Sequence, residues 1–247
     1  MSHIFSIYFA DLSKKISGKK QGVEIEIIDR ELIKRLADVL RLHTEETFLL
    51  FDEKQNIEFI VLKKEKKKLH LKIISISENK KIKPEIILCC GLLKKKHFED
   101  VLYLASVMAV GKICPLLTSQ VHKNWFEEKT IERLQKILIS ACEQSKNFIL
   151  PELQNPVELK TFIEKEPFGI SKKVCFHIDG ESLFELLSDL NQKKHEKIYL
   201  FFGPEGDFTS YELNLFKQAE IEFYKLTQTI LRSVEAVAVG LGSVRSI

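Results

Sequence analysis

The sequence of 247 residues has no apolar run long enough to cross a membrane, which takes about 20 residues. The N-terminal segment MSHIFSIYFADLSKK also lacks the basic and then apolar order of a secretory signal. These two absences predict a cytoplasmic location and no membrane partner. Apolar residues make up 45% and charged residues 30%, which is typical of a folded globular chain and argues against a disordered one.

Cysteines are few and widely spaced. They lie at positions 89, 90, 114, 142 and 175, and none belongs to a Cys-x-x-Cys motif. Four of them stand in apolar surroundings, so we expect buried free thiols. None of the seven histidines is spaced to share an ion with these thiols, so we expect no metal site.

Lysine is abundant, and it is concentrated in the first part of the chain. Residues 1–100 hold 21 Lys and Arg against 16 Asp and Glu, although the whole chain carries a net charge of only +3. Lysine clusters lie at residues 63–68, 80–83 and 94–96. One such run is typical of a solvated turn. Three of them favour a nucleic acid partner, because phosphates that lysines neutralise release their counterions.

Two sequence patterns divide the chain. Up to residue 78 short strands predominate, and their close spacing predicts a small barrel. The predicted strands are 23–27, 47–51, 57–62 and 69–73, with one helix at 32–40. The apolar pattern then lapses into SENKKIK, which predicts a boundary between a first domain, 1–78, and a second, 79–247.

The second domain alternates strands and helices, which predicts an α/β fold with a parallel sheet covered by helices on both faces. Strands are expected at 85–93, 113–117, 174–178, 198–202 and 223–226, and helices at 98–108, 131–141, 181–190 and from Ser233 onward. Gly111 suits the residue after the end of the first of these helices. The last helix is apolar all round, which predicts either deep burial or an interface with another subunit.

The segment IYLFFGPEGDFTSYE, residues 198–212, combines a buried strand, a glycine turn and a helix start. Thr209 and Glu212 have capping-box spacing. In open α/β sheets ligands bind at the carboxyl ends of strands, so this turn is a candidate ligand site. On its own, GPEG is equally typical of a simple tight turn. The chain lacks GxGxxG and GxxxxGK(S/T), which argues against a phosphate-binding enzyme.

The order of motifs resembles a known family. GPEG follows a buried strand, ILR leads into an alanine-rich last helix, and VLRLHTEETFLLFD, GLLKKKHFEDVLYLA and the segment 143–152 match in order. Together they resemble the SPOUT methyltransferases, and more narrowly the 16S ribosomal RNA uridine-N3 methyltransferases of the RsmE family. The resemblance covers nearly the whole length.

This resemblance implies a PUA-like barrel that helps to hold RNA, followed by an α/β domain with a deep trefoil knot. It also implies S-adenosyl-L-methionine as methyl donor, a homodimer, and 16S ribosomal RNA or the assembled small ribosomal subunit as partner. An alternative is a degenerate relative that binds ribosomal RNA without methylating it. Substitutions at positions where the family has glycine or charged residues favour that alternative; they include Asp207, Thr227, Thr229, Val234, Asn147, Gln120 and Val107-Met108-Ala109.

Site residues follow from the same resemblance and from the chemistry of the reaction. Arg232 would stabilise the negative charge of the uridine, although a structural ion pair is its alternative role. The residues expected to bind the donor are Phe202, Gly203, Glu205, Gly206, Leu226, Ile230 and Leu231. Those expected to bind RNA are Arg41, Lys94, Lys95 and Lys96.

Several of these side chains have a second interpretation. Leu226, Ile230 and Leu231 could be core residues, and Glu205 could serve its own helix start instead of the donor. Likewise, Glu235 could pair with Arg232 or stabilise the first turn of the last helix. Finally, Trp125 and Phe126 could stack on a base or anchor their loop.

Overall fold

The structure, a computed structural model, describes residues 4–121 and 125–247 and divides the chain into two compact units. Unit 1 comprises the described residues up to Lys80 together with Cys142–Ile149. Unit 2 comprises Lys81–Ala141 and Leu150–Ile247. The sequence pattern did not anticipate that residues 142–149 group with the N-terminal segment.

Unit 1 is built on one five-stranded sheet. Its strands are β1 (Phe5–Tyr8), β2 (Glu24–Ile27), β3 (Thr47–Phe51), β4 (Gln55–Glu65) and β5 (Lys68–Glu78), in the order β1-β3-β4-β5-β2. Its helical segments are α1 (Leu12–Lys15) and α2 (Arg30–Lys34), the latter continuing as a π-helical turn, Arg35–Val39. Among the described residues no pairing joins β1 to β2, so closure into a barrel stays a prediction.

Unit 2 is built on a parallel sheet of seven strands. The strands are β6 (Glu85–Gly91), β7 (Lys112–Leu117), β8 (Glu152–Leu153), β9 (Val157–Glu158), β10 (Lys172–Ser182), β11 (Lys197–Phe202) and β12 (Glu222–Lys225). Their order is β12-β10-β11-β6-β7-β8, and β9 also pairs with β7. The predicted α/β fold with a parallel sheet is therefore confirmed, although β8 and β9 were not predicted.

Helices pack on both faces of this sheet. They are α3 (Lys95–Val107), α4 (Glu128–Ser145), α5 (Leu159–Lys165), α6 (Leu183–Gln192), α7 (Ser210–Gln218) and α8 (Ser233–Arg245). The packing of strand β11 shows why its sequence is apolar from Ile198 to Phe202. Leu200 and Phe202 belong to one apolar cluster, whereas Tyr199 and Phe201 belong to a second cluster that includes Phe216 of α7. A strand buried on both faces must be apolar at every position.

The end of α3 differs from the prediction. Ala109, with φ +52°, adopts the left-handed conformation that was expected of Gly111. Gly111 is needed for space instead, because a Cβ there would lie 2.9 Å from Cγ of Glu85. The guanidinium of Arg245 donates hydrogen bonds of 2.6–2.9 Å to the carbonyls of Met108, Ala109 and Pro84. Arg245 thereby satisfies the carbonyl groups that the end of α3 leaves open.

Helix α8 buries only one of its faces. Val237, Gly240, Leu241 and Val244 are buried, whereas Val239 is 36% exposed. The prediction that α8 is buried on all sides is therefore wrong, and an apolar face of this helix lies at the surface of the chain.

All five cysteines lie in the described part of the chain, and each is buried and outside any disulfide. No helix among the described residues is long and apolar enough to cross a membrane. The same residues contain no group of three or more His, Cys, Asp or Glu placed to hold a metal ion.

We predict that Ala109→Gly stabilises the protein by about 1 kcal/mol, because glycine adopts a positive φ without the steric cost that alanine carries. The matched control is Ala105→Gly, inside the same helix, which should destabilise by about 1 kcal/mol. Urea unfolding of both variants measures the difference. Effects of the same sign would contradict the assigned conformation of Ala109.

Candidate active site

Unit 2 contains a cleft of about 610 Å³ at the carboxyl ends of β11 and β12 and beside the irregular middle part of β10, their neighbour in the sheet. Its walls come from the segments that follow these strands, from the start of α3 and from the start of α8. The residues lining it fall in the ranges 96–100, 176–178, 202–207 and 225–236. The strand ends, the GPEG turn and the ILR segment thus meet at one place, as the motif order predicted.

The GPEG turn is held by hydrogen bonds within it and by close packing against Gly91 of β6. The backbone N–H of Asp207 donates to the carbonyl of Pro204 over 3.0 Å, and Asp207 itself has φ +60°. Its carboxylate accepts a 2.7 Å hydrogen bond from the N–H of Phe208. Beneath the turn, a Cβ on Gly91 would lie 2.6 Å from Cδ of Pro204. Only glycine at position 91 therefore lets the turn approach β6 this closely.

The predicted capping box of α7 is confirmed. Thr209 accepts a hydrogen bond from the N–H of Glu212, and the carboxylate of Glu212 accepts from the N–H of Thr209 over 2.8 Å. Glu212 is buried and also accepts a 2.8 Å hydrogen bond from the N–H of Ser119. This carboxylate therefore fixes the start of α7 and the segment after β7 together.

Glu205 serves a helix start, but not the start of its own helix. Its Oε1 accepts a 3.1 Å hydrogen bond from the backbone N–H of Lys94, at the beginning of α3, and lies 2.9 Å from Nδ1 of His97. Burial tends to raise the pKa of Glu205, but the hydrogen bonds from His97 and Lys94 hold that pKa below its usual range. An ionised carboxylate is also favoured at this position by the helix dipole.

Aromatic side chains form one wall of the cleft. The rings of Phe202 and Phe176 lie 4.9 Å apart between centroids. Gly240 of α8 makes room for both, because a Cβ there would lie 2.7 Å from Phe202 and 3.0 Å from Phe176. Leu226 and Leu231 are half-buried, whereas Ile230 is 88% exposed. Because Ile230 is so exposed, its alternative interpretation as a core residue is wrong.

Arg232 and Glu235 form an ion pair at the start of α8. Nη2 of Arg232 donates to Oε1 of Glu235, and the side chain of Arg232 is 86% exposed. The hydrogen bond from Arg232 lowers the pKa of Glu235. The other oxygen, Oε2, is buried and has no partner among the described residues. The pairing predicted for Glu235 is confirmed, and the exposed face of the guanidinium remains open to a ligand.

Eight of the predicted site residues line the cleft; they are Phe202, Gly203, Glu205, Leu226, Ile230, Leu231, Arg232 and Lys96. Gly206 is exposed and lies outside the lining, and a Cβ there would come within 3.0 Å of Gln120. Lys94 and Lys95 are exposed residues at the start of α3, outside the lining. Arg41 is exposed in unit 1 and adopts φ +53°.

Trp125 and Phe126 anchor their segment, which is one of the two roles that were predicted for them. Nε1 of Trp125 donates a 2.7 Å hydrogen bond to the carbonyl of Leu93. Both rings also contact the ring of Phe98, with centroids 5.6 Å and 6.4 Å away.

The sequence patterns missed several lining residues, among them Phe176, His177, Ile178 and His97. His177 lies inside both the predicted strand 174–178 and β10, at the irregularity between Phe176 and Glu181, so no strand-end signal marked it. The pairing of His97 with Glu205 spans 108 residues and carries no local signal.

With this geometry established, comparison with known proteins identifies the family. A sequence profile described as "RNA methyltransferase domain" matches residues 80–245, about two thirds of the chain. This chain belongs to the RNA methyltransferase domain family. The family predicted from the motif order is thereby confirmed at this level.

Two relatives within the family are both named "Ribosomal RNA small subunit methyltransferase E". The one from Rickettsia conorii is 25% identical over 91% of this chain and 91% of its own length. The one from Synechocystis sp. is 27% identical over 70% of this chain, but the match spans only 57% of that relative.

Solved structures show the same fold. The Neisseria gonorrhoeae ribosomal RNA small subunit methyltransferase E, bound to S-adenosyl methionine, has a TM-score of 0.81 at 21% identity, covering 99% of this chain and 98% of its own. A Legionella pneumophila protein in complex with SAM has a TM-score of 0.78 at 24% identity, with 99% and 98% covered. At these identities the likeness shows the fold.

We predict that Gly240→Ala destabilises the protein by about 1–3 kcal/mol, because the added methyl overlaps the Phe202 ring in a closely packed site. In the same helix, Gly242→Ala meets nothing nearer than Cε of Met108 at 4.0 Å. That variant should gain about 0.5–1 kcal/mol from alanine's better helix propensity. Chemical unfolding of both variants tests this, and a stabilising Gly240→Ala would contradict the described packing.

Proposed function

We propose that this chain is an S-adenosylmethionine-dependent methyltransferase that methylates N3 of a uridine in 16S ribosomal RNA. The observation that carries the proposal is the cleft where the GPEG turn, the ILR segment and Arg232 meet. Its family and the names of its relatives support the reaction class.

The cleft suits a nucleoside-type donor. Its volume of about 610 Å³ lies within the usual range of ligand pockets, and such pockets combine apolar walls with a few polar groups. Phe202, Leu226, Ile230 and Leu231 would hold the apolar parts of S-adenosylmethionine. The backbone at Gly203 and Glu205 would supply polar contacts. When bound, this cofactor supplies an electrophilic methyl group on a sulfonium centre.

The chain itself must stabilise the uridine as N3 loses its proton. The resulting negative charge spreads over N3 and the two flanking carbonyl oxygens. Arg232 is open to such an anion, because its guanidinium is permanently charged and its exposed edge offers several N–H donors. We therefore assign Arg232 the role of charge stabilisation.

Unit 1 and the lysine-rich start of α3 would hold the RNA. Arg41 makes no ion pair with any described residue, and Lys94, Lys95 and Lys96 are exposed. The hairpin between β4 and β5 adds Lys66 and Lys67, while Lys63 and Lys68 are already paired with Glu65 and Glu26. In this proposal residues 1–78 form a PUA-like barrel that holds RNA, and residues 79–247 form a SPOUT domain whose chain passes through a deep trefoil knot.

A degenerate relative that only binds RNA remains the second candidate. The substitutions near the cleft favour it, because Thr227 and Thr229 replace a glycine and an arginine of the family. The hydroxyl of Thr227 donates to the carbonyl of Thr229 over 2.6 Å, so the loop is closed internally. Against it, Asp207 replaces a glycine of the family and still adopts the left-handed conformation that glycine adopts freely.

Titration of S-adenosylmethionine by calorimetry, followed by methyl transfer to unmethylated small subunits, separates the two candidates. The methyltransferase should bind the donor and transfer its methyl group to N3 of a uridine. Donor binding without transfer would favour the degenerate relative, and no binding at millimolar donor would reject the proposed function.

We predict that Arg232→Ala lowers the rate of transfer by about 100-fold or more, as the loss of a transition-state charge donor does elsewhere. Donor affinity should stay nearly intact. The control is Arg133→Ala, which removes another exposed arginine whose partner is Glu99, outside the cleft. If Arg232→Ala weakens donor binding as much as transfer, its role is in binding or folding.

We further propose a homodimer through the apolar face of α8 that unit 2 leaves at the surface. Val239→Asp should convert the dimer into a monomer by placing a charge in an apolar contact. The control is Phe184→Asp on α6, where an apolar side chain is 79% exposed. Light scattering measures the mass of each, and a dimeric Val239→Asp protein would reject this interface.

A further inference from the structure

His97 and Glu205 form a carboxylate–imidazole pair on the wall of the cleft. Oε1 of Glu205 lies 2.9 Å from Nδ1 of His97, and its hydrogen bond with Lys94 fixes the carboxylate in place. The pKa of Glu205 is held below its usual range, against the effect of burial, so this carboxylate is ionised and can only accept. Nδ1 therefore carries the proton, and Nε2 is left as the basic nitrogen of the neutral ring.

Nε2 of His97 is available to a ligand. It makes no hydrogen bond within residues 4–121 and 125–247, and the His97 side chain is 43% exposed while lining the cleft. A carboxylate that orients an imidazole whose second nitrogen faces a substrate site is the usual arrangement of a catalytic base.

The other histidine in the cleft, His177, differs from His97 in the partners of its two ring nitrogens. Nδ1 of His177 accepts a 3.3 Å hydrogen bond from the backbone N–H of Asp179. In the neutral ring Nε2 must then carry the proton, and it points toward Asp207 at 3.8 Å. With its side chain only 10% exposed, His177 has no unprotonated nitrogen to offer.

Glu235 is a weaker candidate for a base. Arg232 occupies its Oε1 and lowers its pKa through that hydrogen bond, so the carboxylate of Glu235 holds a proton poorly. Its negative charge and that of Glu205 would instead stabilise the imidazolium formed when His97 takes up a proton. The remaining charged or titratable side chains around the cleft are Lys96, Asp100, Asp207, Lys225, His177 and Arg232.

We propose that His97 is the proton acceptor for the imide N3–H of the uridine and that Glu205 positions it. This inference rests on the proposed function. The N3–H bond breaks, the proton moves to Nε2 of His97, and the electron pair stays on N3. That pair forms the N–CH3 bond to the donor's methyl group, and the electrons of the broken S–CH3 bond remain on sulfur. Arg232 and His97 thus act on the same edge of the base, one on charge and one on the proton.

His97→Gln should lower kcat for methyl transfer by about 100-fold or more, the usual contribution of a general base. Donor affinity by calorimetry should not change. The acid limb of the pH–rate profile should disappear in His97→Gln, and Glu205→Gln should lower kcat because it loses the carboxylate that orients the imidazole. His195→Gln, outside the cleft, is the matched control and should retain the activity and the profile of the unmodified protein.

Two further measurements do not depend on the rate alone. Small subunits reconstituted on RNA containing 5-fluorouridine, whose N3–H is more acidic, should restore part of the activity of His97→Gln. In the free protein, nitrogen NMR of the imidazoles should show His97 protonated at Nδ1 and not at Nε2, and Glu205→Gln should disturb that tautomer.

The failures of the two proposals are distinguishable. If the unmodified protein neither binds the donor nor transfers a methyl group, the proposed function fails. An active protein in which His97→Gln keeps its kcat and its acid limb overturns this inference alone. The same holds if NMR places the proton of His97 on Nε2, or if the acid limb is lost in His177→Gln and survives in His97→Gln.

Discussion

Burial of β11 on both faces is the constraint on which the cleft depends. Alternate side chains of this strand enter two separate apolar clusters, so the strand can shift neither along nor across the sheet without exposing one of them. The turn that follows must then leave the sheet at a fixed point. The close contact between Gly91 and Pro204 also fixes the distance between this turn and β6. Position and chemistry of the cleft are therefore consequences of packing beneath it.

The polar part of the cleft follows from two helix starts. Glu205 lies at the start of α3 and Glu235 in the first turn of α8, where helix dipoles favour carboxylates. Each carboxylate then holds a basic side chain, His97 for the first and Arg232 for the second. Two separate helices thus present a base and a cation to the same cleft; the Arg232–Glu235 pair lies within one segment, whereas the His97–Glu205 pair joins two distant segments.

Local patterns predicted the elements well where one physical requirement dominated. Strand β11 had to be apolar from Ile198 to Phe202, where it is buried, and the spacing of Thr209 and Glu212 is that of a capping box. Prediction failed where long-range packing decided between similar residues. Gly111 was expected to end α3 by its conformation, yet it is required for space beside Glu85, and Ala109 takes the strained conformation. Helix α5 and the short strands β8 and β9 carry too few residues for a recognisable period.

In the site, too, local motifs could be predicted from the sequence, whereas contacts between distant segments could not. The GPEG and ILR motifs were identified as neighbours through the resemblance, and the cleft contains both. The partners of Glu205 could not be read from the sequence, because they lie more than 100 residues earlier and belong to a helix start with no capping signal of its own.

The three carbonyl contacts of Arg245 have a consequence for the cleft. They join the last turn of α8 to the last turn of α3 at the end opposite the cleft. These contacts hold the far ends of the two helices together, and the opposite ends of the same helices carry His97 and Arg232 at the cleft.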